Sequence, residues 1–291
     1  MPLRDIVLAT LVPIFWGLGF ALAKPAVEVF SPLLLAAFSY AGMGLLLAPR
    51  LRGRKTPWWQ VGIIALLVGP LHAGLLYWGL EDLTATVAVL LLQSQVPFGL
   101  LLAWPLLGER PRPAGILGTL VAFAGIVLIL GARGGLPPLW PALLVLVSVL
   151  FWSAGQVLIR AWNRDSGPAM GAGIATWSLP LALAASLLLE SGQGAALESA
   201  GWEAWLALAG TVVVGYVMAY ALWYGLLQRQ RIDRLMPFAL LMPPVSVAIG
   251  VLGFGEPFDW TTLLGGLVVV AGVALVVLKR EPEPTKALSQ A

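Results

Sequence analysis

The chain of 291 residues is 59% hydrophobic and only 11% charged, with a mean hydropathy of +0.91, whereas soluble domains carry about 25% charged residues. That leaves too little polar surface to cover a water-soluble globule, so lipid is the expected main solvent. A formal net charge of +3 is too small to suggest nucleic-acid binding. Without cysteine there are no disulfides, thiolate catalysis or cysteine-ligated metals, and one histidine cannot build a polyhistidine metal site. No cofactor is expected.

A helix crossing the ~30 Å hydrocarbon core needs about 20 apolar residues. On that scale, spans are predicted near residues 6–23, 31–49, 59–80, 83–105, 113–131, 139–161, 168–190, 203–227, 232–254 and 260–278. The first follows a short head with Arg4 but lacks a small-residue cleavage site, so it reads as a span and not a signal peptide. Connections are short, and the charged, proline-rich tail after Lys279 is expected to be disordered.

Fifteen of the seventeen basic residues fall in one set of alternate loops and termini; Lys24 and Arg133 are in the other. Cytoplasmic loops carry the Lys/Arg excess, which places both termini in the cytoplasm; the expected location is a bacterial inner membrane. An error of one span would scramble this split.

The halves of the chain resemble each other. Phe15-Trp16-Gly17 with Lys24 matches Phe151-Trp152-Ser153 with Arg160 at an offset of 136. Gly79-Leu80 matches Gly225-Leu226, and Pro97 matches Pro243, at 146. Gly108-Glu109 matches Gly255-Glu256, and Gly118 and Gly125 match Gly265 and Gly272, at 147. The expected organisation is a repeat over 1–135, a second over 136–279 and a cytoplasmic tail over 280–291. Five spans per repeat is odd, so the second copy enters from the opposite side. Glu109 then faces the cytoplasm and Glu256 the outside. Inverted repeats are an architecture of secondary transporters, because near-identical halves can exchange conformations.

This pattern resembles the EamA group of the drug/metabolite transporter superfamily: two five-span units with Phe-Trp in the first helix, Gly-Glu between the fourth and fifth, and glycines spaced along the fifth. The lone His72 and the many aromatics are most similar to the aromatic amino acid exporters. The resemblance implies a ten-helix basket around a central cavity and efflux of small organic metabolites.

Several residues have a plain reading beside a functional one. Gly118 and Gly125, like Gly265 and Gly272, sit seven apart on one helix face, suited to close helix packing within the chain or to dimerisation; no site is placed there, and a monomer is expected. Prolines 13, 70, 97, 180, 243 and 244 interrupt spans and should kink them. The repeat-equivalent Pro97 and Pro243 are hinge candidates. Lys24 and Arg160 are snorkelling anchors or captors of a solute carboxylate.

Polar residues at membrane depth are costly and usually face protein or water. They are His72, Gln93, Ser94, Gln95, Gln156, Tyr216 and Tyr220. Gln93 and Gln95 point about 200° apart on a helix, so only one faces a cavity centre; Gln93 is the candidate. Trp152 and Gln156 share a face, as do Tyr216, Tyr220 and Trp223. Of 28 aromatics, Trp58, Trp59, Trp104, Trp140, Trp202, Trp205 and Trp260 lie near span ends as an interfacial belt, while Trp16, Trp152 and Trp177 lie deeper. No carboxylate lies near mid-span, so a conventional acidic proton relay is missing, and His72 is the candidate coupling group or a neutral hydrogen-bonding side chain. No Walker A sequence occurs, which disfavours direct ATP-driven transport.

The expected function is alternating-access export of neutral, chiefly aromatic, amino acids or related metabolites. His72, Gln93, Trp152, Gln156, Tyr216 and Tyr220 are expected to line the cavity, with Trp16, Tyr77 and Trp177 beside them. Broad metabolite efflux and passive facilitation are the alternatives. A membrane enzyme would need a nucleophile and base or a metal cluster, which one histidine without a mid-span acid does not supply.

Overall fold

The computed structural model describes residues 1–80, 83, 91–130, 138–254 and 260–278. Arg133, the Gly255-Glu256 pair and the charged tail lie outside the described residues, as do the side chains of Lys24 and Tyr77. Among the described residues every regular element is helical. Hydrocarbon offers the backbone no hydrogen bonds, and a helix satisfies its N–H and C=O groups within one segment.

Six helical stretches are long and apolar enough to cross a membrane: Leu3–Ala23, Pro32–Leu51, Trp58–Leu76, Leu139–Trp162, Gly167–Leu189 and Trp202–Arg229. Shorter apolar helices cover Gln95–Leu107, Pro113–Leu128 and Leu263–Val276. Large apolar side chains cover the outer surface; Leu45, Leu188 and Leu252 are 77%, 82% and 87% exposed, an arrangement that suits lipid and not water. The seven tryptophans assigned to span ends are all exposed.

In chain order come α1 (Leu3–Val27), α2 (Pro32–Leu47), α3 (Trp58–Leu66) and α4 (His72–Leu80). A π segment, Leu67–Leu71, joins α3 to α4, and its Gly69 leaves helical geometry (φ −96°, ψ −109°) directly before Pro70. That is the kink expected where a proline lacks a donor and crowds the preceding turn. Then follow α5 (Gln95–Leu107), α6 (Pro113–Leu130), α7 (Leu139–Trp162), α8 (Gly167–Leu189), the short α9 (Gln193–Ser199) and α10 (Trp202–Gly210). A second π segment, Thr211–Met218, leads into α11 (Ala219–Arg229). It contains the positions 146 residues beyond the first. The short α12 (Ile232–Leu235), a 3₁₀ stretch (Met236–Leu241), α13 (Met242–Phe254) and α14 (Trp260–Leu278) complete the chain.

Both hinge candidates start helices. Pro97 is the third residue of α5, after a turn at Gln93–Ser94, and Pro243 the second of α13, after the 3₁₀ stretch. Pro97 cannot donate to Gln93 O, which instead accepts from Val96 N at 3.1 Å.

The most extensive helix contact joins α6 to α14. A Cβ on Gly118 would lie 2.5 Å from Gly272 O, and one on Gly125 would lie 2.6 Å from Gly265 O. One number rises as the other falls, so the helices cross antiparallel through their glycines, which pack within the chain. Gly19 of α1 and Gly215 of the second π segment meet in the same way, a Cβ on Gly19 falling 2.6 Å from Gly215 Cα.

All five ion pairs among the described residues gather at the end of the bundle that carries the N-terminus. They are Asp5–Arg229 (3.0 Å), Glu109–Arg160 (3.3 Å), Asp233–Arg112 (3.5 Å), Asp233–Arg231 (2.9 Å) and Asp165–Arg54 (3.7 Å). Four of them tie the first half of the chain to the second. The carboxylates also cap backbone: Glu109 accepts from Ile232 N at 2.8 Å, and Asp165 from Lys55 N and Thr56 N. The hydrogen bond to Asp233 is the main effect raising the Arg231 guanidinium above the ordinary arginine value, while at Arg54 desolvation outweighs the attraction of Asp165 and lowers it. At the opposite end Glu190 accepts from Ser31 Oγ (2.7 Å), Leu33 N (2.8 Å) and Leu34 N (3.2 Å), capping α2.

Candidate functional site

Residues from both halves meet in a chain of rings in the bundle interior. Trp16 of α1 lies 5.7 Å from Tyr220 and 5.2 Å from Trp223, both on α11. Trp152 of α7 lies 5.9 Å from Tyr220 and 5.1 Å from His72 of α4. Tyr220 also contacts Tyr216 (5.6 Å) and stacks on Tyr224 (5.3 Å), and Tyr40 of α2 meets Tyr216 edge to face at 5.6 Å. Spacings of 4.5–7 Å with tilted, edge-on or stacked planes suit the ring quadrupoles.

Amides and hydroxyls hold these rings in place. Trp152 Nε1 donates to Gln95 Oε1 at 3.1 Å, and Ser153 Oγ to Gln95 O at 3.1 Å, tying α7 to α5. Trp223 Nε1 donates to Gln156 Oε1 at 2.9 Å. An indole N–H is a donor only, so each bond fixes which end of the amide faces the ring. Ser148 Oγ lies 2.8 Å from His72 Nδ1 and 2.9 Å from His72 O. Nδ1 also lies 3.2 Å from Ser148 O, which can only accept, so all three contacts are satisfied together when Nδ1 carries the proton and Ser148 Oγ donates to His72 O.

Of the residues singled out from sequence, the structure brings together His72, Trp152, Gln156, Tyr216, Tyr220 and Trp16. Trp177 stands apart, 40% exposed on α8 with Gly62 of α3 beneath its ring. Gln93 is buried in the turn before α5, and its Oε1 has no partner among the described residues; the amide that reaches Trp152 is Gln95. The Tyr77 side chain lies outside the described residues. Arg160, at the basic end, is engaged by Glu109 and by Gln228 O (2.7 Å).

Sequence reasoning missed the roles of Gln95, Ser148, Tyr40 and Tyr224. Tyr224 was within reach, four residues beyond Tyr220 on the same face. The buried carboxylates among the described residues, Asp5, Glu109, Asp165 and Asp233, all lie at helix ends, and the polar groups that meet these rings among the described residues are amides, hydroxyls, indoles and an imidazole. Such an interior has the chemistry to bind a solute.

A multi-pass helical membrane protein with a ring-lined, amide-bearing interior is the class this describes. The chain belongs to the EamA-like transporter family, whose profile matches residues 3–131 and again residues 139–278. It is 32% identical to an uncharacterized protein of Pseudomonas aeruginosa over 89% of this chain and 88% of that one. It is 25% identical to a Salmonella typhimurium protein named a "probable amino-acid metabolite efflux pump", over 95% and 96% of the two chains. An Escherichia coli protein of the same name is 24% identical, also over 95% and 96%. A solved crystal structure shares the fold with a TM-score of 0.80 at 22% identity, over 94% of this chain and 98% of that one.

Proposed function

We propose that this transporter exports neutral, chiefly aromatic, amino acids or related metabolites across a bacterial inner membrane. It does so by alternating access between two inverted five-span halves, with both termini in the cytoplasm. The observation that carries the reading is the ring cluster, to which α1, α2 and α4 of the first half and α7 and α11 of the second each contribute. A solute seated there touches both halves, so relative movement of the halves transfers its exposure from one side to the other. Supporting the inverted repeat are the antiparallel α6–α14 crossing, the π segments at matching positions and the two successive matches of the family profile. The names of the Salmonella typhimurium and Escherichia coli relatives support the solute class. Pro97 and Pro243, each beside a local break, are the proposed hinges, and Gln93, Tyr77 and Trp177 remain proposed solute contacts.

In proteoliposomes, counterflow is expected: labelled aromatic amino acid accumulates transiently against unlabelled solute inside. No uptake of any amino acid tried would remove the solute class. Non-saturating flux without transacceleration would make the protein a passive facilitator. His72 is the proposed coupling group, so His72→Gln is expected to abolish accumulation driven by a pH gradient while leaving downhill exchange intact. Equal accumulation by the variant and the parent would rule that role out.

A further inference from the structure

Two hydrogen-bond donors inside the ring cluster are left without an acceptor. Trp16 Nε1 and Gln156 Nε2 are buried atoms of residues 8% and 0% exposed, and neither has a partner among the described residues. Both flank one indole: Gln156 accepts from Trp223, and the Trp16 ring lies 5.2 Å from that of Trp223. The Gln156 amide cannot turn round to relieve the deficit, because Trp223 Nε1 would then face an NH₂ group. A buried donor left unpaired is penalised by its full desolvation, so two of them beside one ring mark a place that receives an acceptor.

The repeat explains how one of the donors came to be free. Trp16 and Trp152 are equivalent at an offset of 136, and Trp152 Nε1 is satisfied by Gln95 of α5. With Pro97 aligned on Pro243, the counterpart of Gln95 is Leu241. It lies in the 3₁₀ stretch that packs on α1 much as α5 packs on α7. Leucine has no acceptor. The internal substitution leaves one of two matched indole N–H groups closed by protein and the other without a partner among the described residues.

We infer that Trp16 Nε1 and Gln156 Nε2 form the subsite that accepts the carboxylate of the transported solute, resting on the transport reading above. Carboxylates are acceptor-only groups that take several N–H bonds at once. Neutral donors hold one without placing a compensating cation in the membrane interior, where a charged side chain is expensive. The neighbouring rings of Tyr220 and Trp152 supply an apolar, cation-attracting surrounding for the remainder of the solute, including an ammonium group.

The test is isothermal titration of the purified full-length protein in detergent with three solutes that share a phenyl ring. These are L-phenylalanine, 3-phenylpropionate (no amine) and phenethylamine (no carboxylate). The parent protein should bind both carboxylates, and Trp16→Phe, which keeps a ring and deletes the N–H, should weaken them about tenfold or more. Phenethylamine binding should be little changed, which also shows that the variant is folded. Equal weakening of all three solutes would mean lost packing and would overturn the subsite. Unchanged carboxylate affinity would overturn it too, leaving an ordered water as the acceptor. In both of those cases the transport reading stands; failure of the parent protein to bind any amino acid would sink that reading and this inference together.

Discussion

Gly125→Leu is expected to leave no folded, monodisperse protein, and Gly125→Ala to lower stability by about 1–3 kcal/mol, the range for forcing an extra group into a well-packed interior. Backbone, not a movable side chain, occupies the space: a Cβ there would lie 2.6 Å from both Gly265 O and Val269 N. Only separation of α6 and α14 relieves the clash, and that breaks the largest helix contact in the bundle. In hydrocarbon, close packing is itself the main attraction between helices, since lipid tails are as apolar as leucine. Gly74→Ala is the control, because a Cβ there meets nothing within 4 Å. It should be neutral or slightly stabilising, through reduced freedom of the unfolded chain. Thermal unfolding in detergent, read with size-exclusion profiles, compares the three. Equal melting temperatures for Gly125→Ala and Gly74→Ala would disprove the tight crossing.

Asp165→Ala should destabilise by about 3–5 kcal/mol, the range for breaking a buried pair by removing one partner. The side chains of Asp165 and Arg54 are 2% and 5% exposed. Arg54 Nε and Nη1 have no hydrogen-bond partner among the described residues, so Asp165, 3.7 Å from Nη1, is the near counter-charge. Its loss also strands the N–H groups of Lys55 and Thr56. Arg54 does keep a bond to Thr56 O (2.8 Å) and a position 3.8 Å over the Trp58 ring, which hold it in place with its charge uncompensated. Adding Arg54→Met to Asp165→Ala is therefore expected to restore part of the lost stability, a non-additivity visible in a double-mutant cycle. A double variant no more stable than Asp165→Ala would show that Asp165 acts through backbone capping alone.

Much of the candidate site is legible in the sequence. Helical spacing pairs Trp152 with Gln156, and Tyr216 with Tyr220 and Trp223, and the structure brings them together. The choice between Gln93 and Gln95 is not legible, because the rule of 100° per residue assumes an unbroken helix. Pro97 removes the bond to Gln93 O, the chain turns at Gln93–Ser94, and angular bookkeeping across that turn loses its meaning. Trp177 reads as a deep aromatic, but helix position does not say which neighbour its face meets; on α8 it meets Gly62 of α3. Gln95, Ser148 and Tyr40 escape sequence reasoning as partners because each acts through a residue at least 57 positions away in sequence or on a separate helix.

By itself the sequence determined that this is a helical membrane protein of the EamA family. Those properties rest on local quantities: apolar run length, backbone self-satisfaction in lipid, the placement of basic residues and short motifs recurring at nearly constant offsets. Tertiary structure alone decided which amide holds which indole, which glycines touch, and which two N–H groups are left over. Each depends on where separate helices cross, and a crossing is set by the shapes of both surfaces at once, which no single segment carries.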